Sequence, residues 1–292
     1  MGYGQHQSFY LRDRWLNKGI KHLADNGRFF YEKDAFEKMG LGKNMVQSLR
    51  YWVVATGVVE EVFNDERKKV HRITPLGELV FTHDKFIKQI DTASILHYHM
   101  VKEKEPSSTW YWYFNVNKNT IASKEELLTA LEGWVMDSEN KPVSVRSLKR
   151  DIECLVKLYT AGQKVDDPEE VIQSPLNKLG LVQERKSIIH KKSKFYNEIG
   201  LSALMYVLLD YKKDNNIETV SVDELVNAVG LWGKTFNIGR SSIVNALNKL
   251  TEHPHYPISF IRTNNLDLIR IPDVLPLQFL QEEYARRVEV LR

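Results

Sequence analysis

One pattern recurs three times along the 292 residues: a short helix, a turn, a longer helix, and then a polar hairpin between two apolar strands. That order is the signature of a winged helix-turn-helix. It predicts a mostly α chain with small β-hairpin wings, built as tandem winged helix-turn-helix modules. In the first copy, Asp34 can cap a helix over Ala35 to Met39, which Gly40-Leu41-Gly42 ends. Asn44 starts or precedes a second helix with Met45, Leu49, Trp52 and Val53 at helical spacing, leaving Lys43, Gln47, Arg50 and Tyr51 on its other face. Gly57 closes that helix. Val58 to Phe63 and Val70 to Ile73 then read as strands around the tip Asn64-Asp65-Glu66-Arg67-Lys68-Lys69, and Thr74-Pro75-Leu76-Gly77 opens another helix.

The second copy has a long amphipathic helix from Val145 to Val156 after Pro142 and Ser144. An acidic loop, Asp166-Asp167-Pro168-Glu169-Glu170, separates it from Ser174-Pro175-Leu176. From Arg185 to Lys194 five Lys and Arg residues, with no acid among them, alternate with apolar residues and predict a basic hairpin. In the third copy Leu201 to Asp210 is an apolar helix, and Ser221 caps the next. A helix after Gly239 shows Ile243, Leu247 and Leu250 on one face and Ser242, Asn245, Asn248 and Lys249 on the other. Strands at 258–262 and 266–271 flank Thr263-Asn264-Asn265, and residues 277–292 form a terminal helix. With Glu105-Pro106-Ser107-Ser108 read as a linker, the expected domains are 1–104, 105–198 and 199–292.

Composition narrows the class. At 42% hydrophobic and 27% charged, the chain is neither disordered nor fibrous. Its longest nearly apolar run, Leu201 to Leu209, is too short to cross a membrane. No basic-then-apolar signal opens it, and the single Cys154 forbids an internal disulfide or a cysteine zinc cage. A cytoplasmic protein is expected. The net charge is only +3, with 41 Lys and Arg against 38 Asp and Glu, so the placement of the charges decides more than their sum.

A winged helix offers one helix to the major groove, while cations on the hairpin neutralise phosphates. The DNA-contact candidates are therefore Lys43, Asn44, Gln47 and Arg50 on the helix, Arg67, Lys68 and Lys69 on the first hairpin, and Arg185, Lys186, Lys191, Lys192 and Lys194 on the second. The third helix is less basic. At the amino terminus, His6, Gln7 and Arg12 follow no period. They either brace the first module or form a polar arm that reaches into a groove. The run Trp110-Tyr111-Trp112-Tyr113-Phe114 covers a domain junction, stacks on bases or docks a partner.

Signs of catalysis are sparse. No phosphate-binding Gly-rich loop and no HExxH helix occurs. His97/His99 and His253/His255 are two-residue pairs without an obvious third ligand, and Cys154 sits in an amphipathic helix. Glu66-Arg67-Lys68, directly after Asp65, and Glu184-Arg185-Lys186, with Asp166 and Asp167 upstream, have the carboxylate-and-lysine spacing of restriction-type nucleases but fall in predicted hairpins. No catalytic residue, metal or cofactor is expected.

The phrases GQHQSFYLRDRWLNKGI and LGKNMVQSLRYWVVATGVVE, with the later SLKRDIECLVKLYT and SPLNKLGLV, resemble a bacterial domain-of-unknown-function family. Its members share a GHQ-F-R-WL-K phrase and a GKNMV-RYW phrase. The resemblance implies a gene neighbourhood more than a chemistry: a phosphoadenosine-phosphosulfate-reductase-like sulfurtransferase in DNA phosphorothioation or phage-defence clusters. The expectation is thus a non-catalytic binder of double-stranded DNA in such a system, presenting DNA or regulating its operon. Lys43→Glu with Arg50→Glu should abolish binding. The alternatives are an adaptor for the sulfurtransferase complex and, less favoured, a metal-dependent nuclease. No heptad run marks an oligomer interface, and a homodimer spacing two half-sites stays open.

Overall fold

The structure is a computed structural model that describes residues 2–160, 173–263 and 266–290; the acidic loop at 166–170 lies outside them. It is mostly helical with small antiparallel sheets. Helix α1 (Trp15–Asp25) buries Trp15, Leu16, Gly19, Ile20 and Leu23, one face at three- and four-residue spacing. Helix α2 (Ala35–Met39) ends at Gly40, whose φ of 62° closes the turn. Asp34 makes no side-chain cap. Its carboxylate pairs instead with Lys38 at 3.2 Å.

Helix α3 (Lys43–Ala55) follows, then strands β1 (Val59–Phe63) and β2 (Lys69–Ile73), paired from Val59↔Ile73 to Phe63↔Lys69. The tip is held by the Asn64 side chain, which accepts the Lys68 amide at 2.9 Å. Gly57, at φ 74°, is needed where α3 ends, because a Cβ there would meet the His99 ring at 2.9 Å. Thr74 caps α4 (Pro75–Asp84) by accepting the Gly77 amide, with proline at the first helical position.

Helix α5 (Ile90–Val101) has no counterpart in the expected modules. It is buried on nearly every side, including Ile95, Leu96, His97, Tyr98, Met100 and Val101. After it the expected linker proves to be packed: Ser107 and Ser108 are fully buried. The short α6 (Ser108–Tyr111) runs into a π-helical turn, Trp112–Val116. Trp110, Trp112, Tyr113 and Phe114 are all buried and fill the core, with only Tyr111 of the run half-buried.

The remainder repeats one order of elements. Strand β3 (Ile121–Ser123), helices α7 (Lys124–Ser138) and α8 (Val145–Thr160), and strands β4 (Val182–Arg185) and β5 (Ile188–Lys191) give a sheet of order β3-β5-β4. Helix α9 (Leu201–Asn215) precedes β6 (Thr219–Ser221), α10 (Val222–Asn227), α11 (Trp232–Phe236) and α12 (Arg240–Leu250). Strands β7 (Ser259–Thr263) and β8 (Leu266–Arg270) then complete a sheet of order β6-β8-β7. Capping boxes, Ser123 with Glu126 and Ser221 with Glu224, start α7 and α10 directly from β3 and β6. Helix α13 (Pro276–Val290) closes the described chain.

Buried polar bonds tie these units together. Asp151 on α8 is fully buried and accepts from the Gly4 amide, His6 Nε2 and Thr109 Oγ1, each at 2.8 Å. His97 on α5 bonds the Tyr159 hydroxyl at 2.7 Å and the Thr235 carbonyl at 2.8 Å. Asp91 accepts the Ala203 amide of α9 and Arg287 of α13, at 2.9 and 2.7 Å.

Candidate nucleic-acid interface

Helix α3 sorts its residues by face. Val46, Leu49, Trp52 and Val53 are buried, while Lys43, Asn44 and Gln47 face solvent. Tyr51 departs from the expected polar face: it is buried against Trp52 and Trp110, with ring centroids 4.9 and 6.4 Å away. Its place is set by the amino-terminal segment, which packs on this helix. The Phe9 carbonyl accepts Trp52 Nε1 at 3.0 Å and Ser48 Oγ at 3.1 Å, and His6 sits edge-on to Trp110 at 5.8 Å. His6 therefore braces the module, and Arg12 does too, its guanidinium lying over Phe9, Tyr10 and Trp15 at 5.5 to 5.9 Å. Only Gln7, with Gln5, stays beside the outer face of α3. There the two line a cavity of about 300 Å³ with Gln47, Arg50 and Phe30. A second cavity, of about 410 Å³, continues past Phe30 and Gln47 to Lys33 and Lys43.

Where α3 meets the hairpin, four side chains converge on Glu61. Its carboxylate accepts the Tyr31 hydroxyl at 2.7 Å and Arg50 Nη2 at 3.2 Å, and also takes the Lys69 ammonium. Both Arg50 and Arg28 stack on the Tyr31 ring, at 4.9 and 5.1 Å. Burial alone would push the Glu61 carboxyl up, but the bonds from Lys69 and Tyr31 and the charge of Arg50 outweigh it and hold it below its ordinary value. His71 lies on the same node with Nε2 3.6 Å from Glu61. Burial first, then the charge of Arg50, brings its pKa down to about 4.

The candidate cations thus divide by what already holds them. Arg50 and Lys69 are engaged with Glu61, and Lys68 with Glu66 at 2.7 Å. Lys43 lies over the Phe36 ring, and Arg67, at φ 58° on the tip, is exposed. On the second hairpin Arg185, Lys186 and Lys192 are exposed. Lys191 turns inward over the Tyr113 ring at 4.8 Å and donates to the Asn117 carbonyl, and burial lowers its pKa to about 8. Lys194 is held by Glu198 at 2.6 Å. In the third unit Asn245, Asn248 and Lys249 face solvent, but Ser242 is buried and accepts the Tyr196 amide at 2.8 Å.

Among the described residues those weighed for catalysis do not assemble; Asp166 and Asp167 lie outside them. His97 and His99 lie on a helix and bond Tyr159 and Tyr206, so they do not aim at one point as a strand pair would. Cys154 is buried, and burial pushes its thiol well up. Glu66 sits on an exposed tip and Glu184 pairs with Lys124 at 2.8 Å. Among the described residues no group of three or more His, Cys, Asp or Glu comes together to hold a metal ion. No described helix is long and apolar enough to cross a membrane. Sequence reasoning missed Arg28, Tyr31 and Glu61, because nothing in their spacing shows that they meet.

Two crystal structures of SspB, one of them magnesium ion-bound, share this fold at a TM-score of 0.86 and 21% sequence identity. Each match covers 100% of this chain and 94% of the other. At that identity the likeness is one of fold. No curated protein matches the sequence. Residues 3–284 match the model of one family, described as a protein of unknown function, DUF4007; the chain belongs to that family.

Proposed function

We propose that the protein binds double-stranded DNA without altering it, through tandem winged-helix modules of which the first is the reader. The observation that carries this reading is the outer face of α3. Lys43, Asn44 and Gln47 stand in solvent beside a hairpin whose tip presents Arg67, donors of the kind that contact base edges and phosphates. The matching order of strand, helices and hairpin in the β3-β5-β4 and β6-β8-β7 units supports the module reading. The resemblance carried by the sequence phrases supports a role in a DNA phosphorothioation or phage-defence system in the cytoplasm, with a phosphoadenosine-phosphosulfate-reductase-like protein as the partner.

The test reverses charge where no carboxylate holds it. Arg50→Glu would set two carboxylates against each other at Glu61, so Lys43→Glu with Arg67→Glu is the cleaner pair. Duplex affinity should fall at least tenfold with the circular dichroism spectrum unchanged. Unaltered affinity would remove the first module as the reader.

A second reading, magnesium-dependent DNA cutting, is favoured by the magnesium ion in one SspB structure. The described residues gather no group of three or more His, Cys, Asp or Glu to hold such an ion. That reading expects magnesium-dependent nicking of supercoiled plasmid, lost in Glu66→Ala or Glu184→Ala; plasmid left intact contradicts it.

A further inference from the structure

A cavity of about 420 Å³ lies away from α3 and its hairpin. The residue before α1, the loop joining α4 to α5, and the turn at 173–178 enclose it. Arg14, Lys88 and Lys178 line it, against Asp13 as the one carboxylate among the described residues of its wall. Among the described residues none of these three cations forms an ion pair. Arg14 lies over the Phe86 ring at 5.8 Å, with Lys85 on the same ring at 5.3 Å, and the Lys178 ammonium donates to the Ile87 carbonyl. Three cations face one wall carboxylate, with Asp84 behind the wall, an excess of positive charge that suits a phosphomonoester dianion.

The backbone around the cavity is unusual. Arg14 has φ 65°, and Ile87, a buried β-branched residue, has φ 51°. A β-branched side chain in the left-handed region is strained and persists only where its surroundings fix it, as ligand clamps do. Here that conformation presents the Ile87 carbonyl to Lys178. Burial draws the lysine's pKa down, with the charges of Asp84 and Asp13 opposing, so the ammonium is partly removed from water, and its direct hydrogen bond is to a neutral carbonyl. The Asp84 carboxylate is spent on the Lys88 and Gln89 amides, at 2.8 and 2.9 Å.

We propose that this cavity binds the phosphomonoester of a ligand about the size of a mononucleotide, with Arg14, Lys88 and Lys178 around the phosphate. The volume exceeds what a bare phosphate fills and falls within the roughly 300–1,000 Å³ of small-molecule sites. Gln173 in the wall suits a polar remainder. Such a phosphate belongs either to a free nucleotide or to the 5′ end of a strand. The site shares no residue with the α3 surface, so it stands or falls independently of duplex binding.

The test is isothermal titration calorimetry of the full chain with 2′-deoxyadenosine 5′-monophosphate, deoxyadenosine, and decathymidylate with and without a 5′-phosphate. Expected are at least tenfold tighter binding of each phosphorylated probe than of its unphosphorylated partner, and at least a tenfold loss in Lys178→Gln. The exposed Lys88→Gln is a second variant that leaves the packing alone, and it should weaken binding several-fold. Tighter binding of the phosphorylated decamer than of the nucleotide assigns the strand end, and the reverse assigns the free nucleotide. Equal binding with and without phosphate, affinity unchanged in both variants, or no binding of either phosphorylated probe at about 10 mM overturns the proposal.

Discussion

His71, His97 and His99 are each held neutral by burial, with pKa values lowered to about 4. A histidine whose folded pKa lies below its unfolded value of about 6.5 takes up a proton on unfolding. The stability it secures is complete above pH 6.5 and is lost as the pH falls toward 4, by up to about 1.4 kcal/mol per histidine per pH unit within that window. The melting temperature should therefore fall between pH 7 and pH 5, before the carboxylates titrate. His97→Gln should start lower but fall less steeply; parallel curves for the two proteins would contradict the assignment. A backbone counterpart is Gly200, at φ 99°, where a Cβ would collide with the Asp91 carboxylate. Gly200→Ala should cost about 1–3 kcal/mol from the backbone conformation alone, and more from the clash, read as a shift in urea midpoint. The sequence marks His97 only as half of a histidine pair and Gly200 not at all, because each owes its role to partners more than a hundred positions away, Thr235 for His97 and Asp91 for Gly200.

Elements were legible where one face is apolar and the other wet. Helices α3, α8 and α12 and the hairpins β1–β2 and β7–β8 stand close to where periodicity places them. Helix α5 was not, since a segment buried all round has no periodic contrast to read, and β3 and β6 are three-residue strands too short to alternate. Within the candidate interface the helix face was legible apart from Tyr51, which is buried, and its electrostatics were not. Type and spacing picked out Lys43, Asn44 and Gln47, but only the fold shows Arg50 and Lys69 drawn onto Glu61 and Lys191 turned to Tyr113. This sorting gives a prediction for the second hairpin. If it tracks phosphates, Arg185→Gln with Lys186→Gln should lower the salt dependence of duplex affinity by about 0.9 for each phosphate no longer neutralised, close to two log units per log unit of salt. Lys191→Gln should leave that slope unchanged and lower thermal stability. The opposite pattern would mean that the inward lysine is the one facing DNA.

Across the whole molecule, the α3 hairpin unit and the two three-stranded units share one interior. Asp151 is held by Gly4, His6 and Thr109, α5 bonds residues of α8 and α11, and α13 returns to pair Arg287 with Asp91. Unfolding should accordingly be a single calorimetric transition, and residues 1–104 alone should fail to give a cooperative one, because α5 would be stripped of its partners. Two resolved transitions would show that the units fold separately. Shared packing also fixes α3 and the hairpins in one frame, so any duplex bound by one is presented to the others in a set geometry.

On this account the frame binds duplex DNA through phosphate contacts. The most direct measurement is fluorescence anisotropy of the full chain against a labelled duplex of about 30 base pairs across a salt series, with plain and phosphorothioated duplexes run side by side. Log affinity should fall with log salt by several units, at about 0.9 per neutralised phosphate, and any gap between the two duplexes would tie the protein to the modification. No binding even at low salt would contradict duplex recognition and turn attention to the adaptor role, with the sulfurtransferase as the partner to capture.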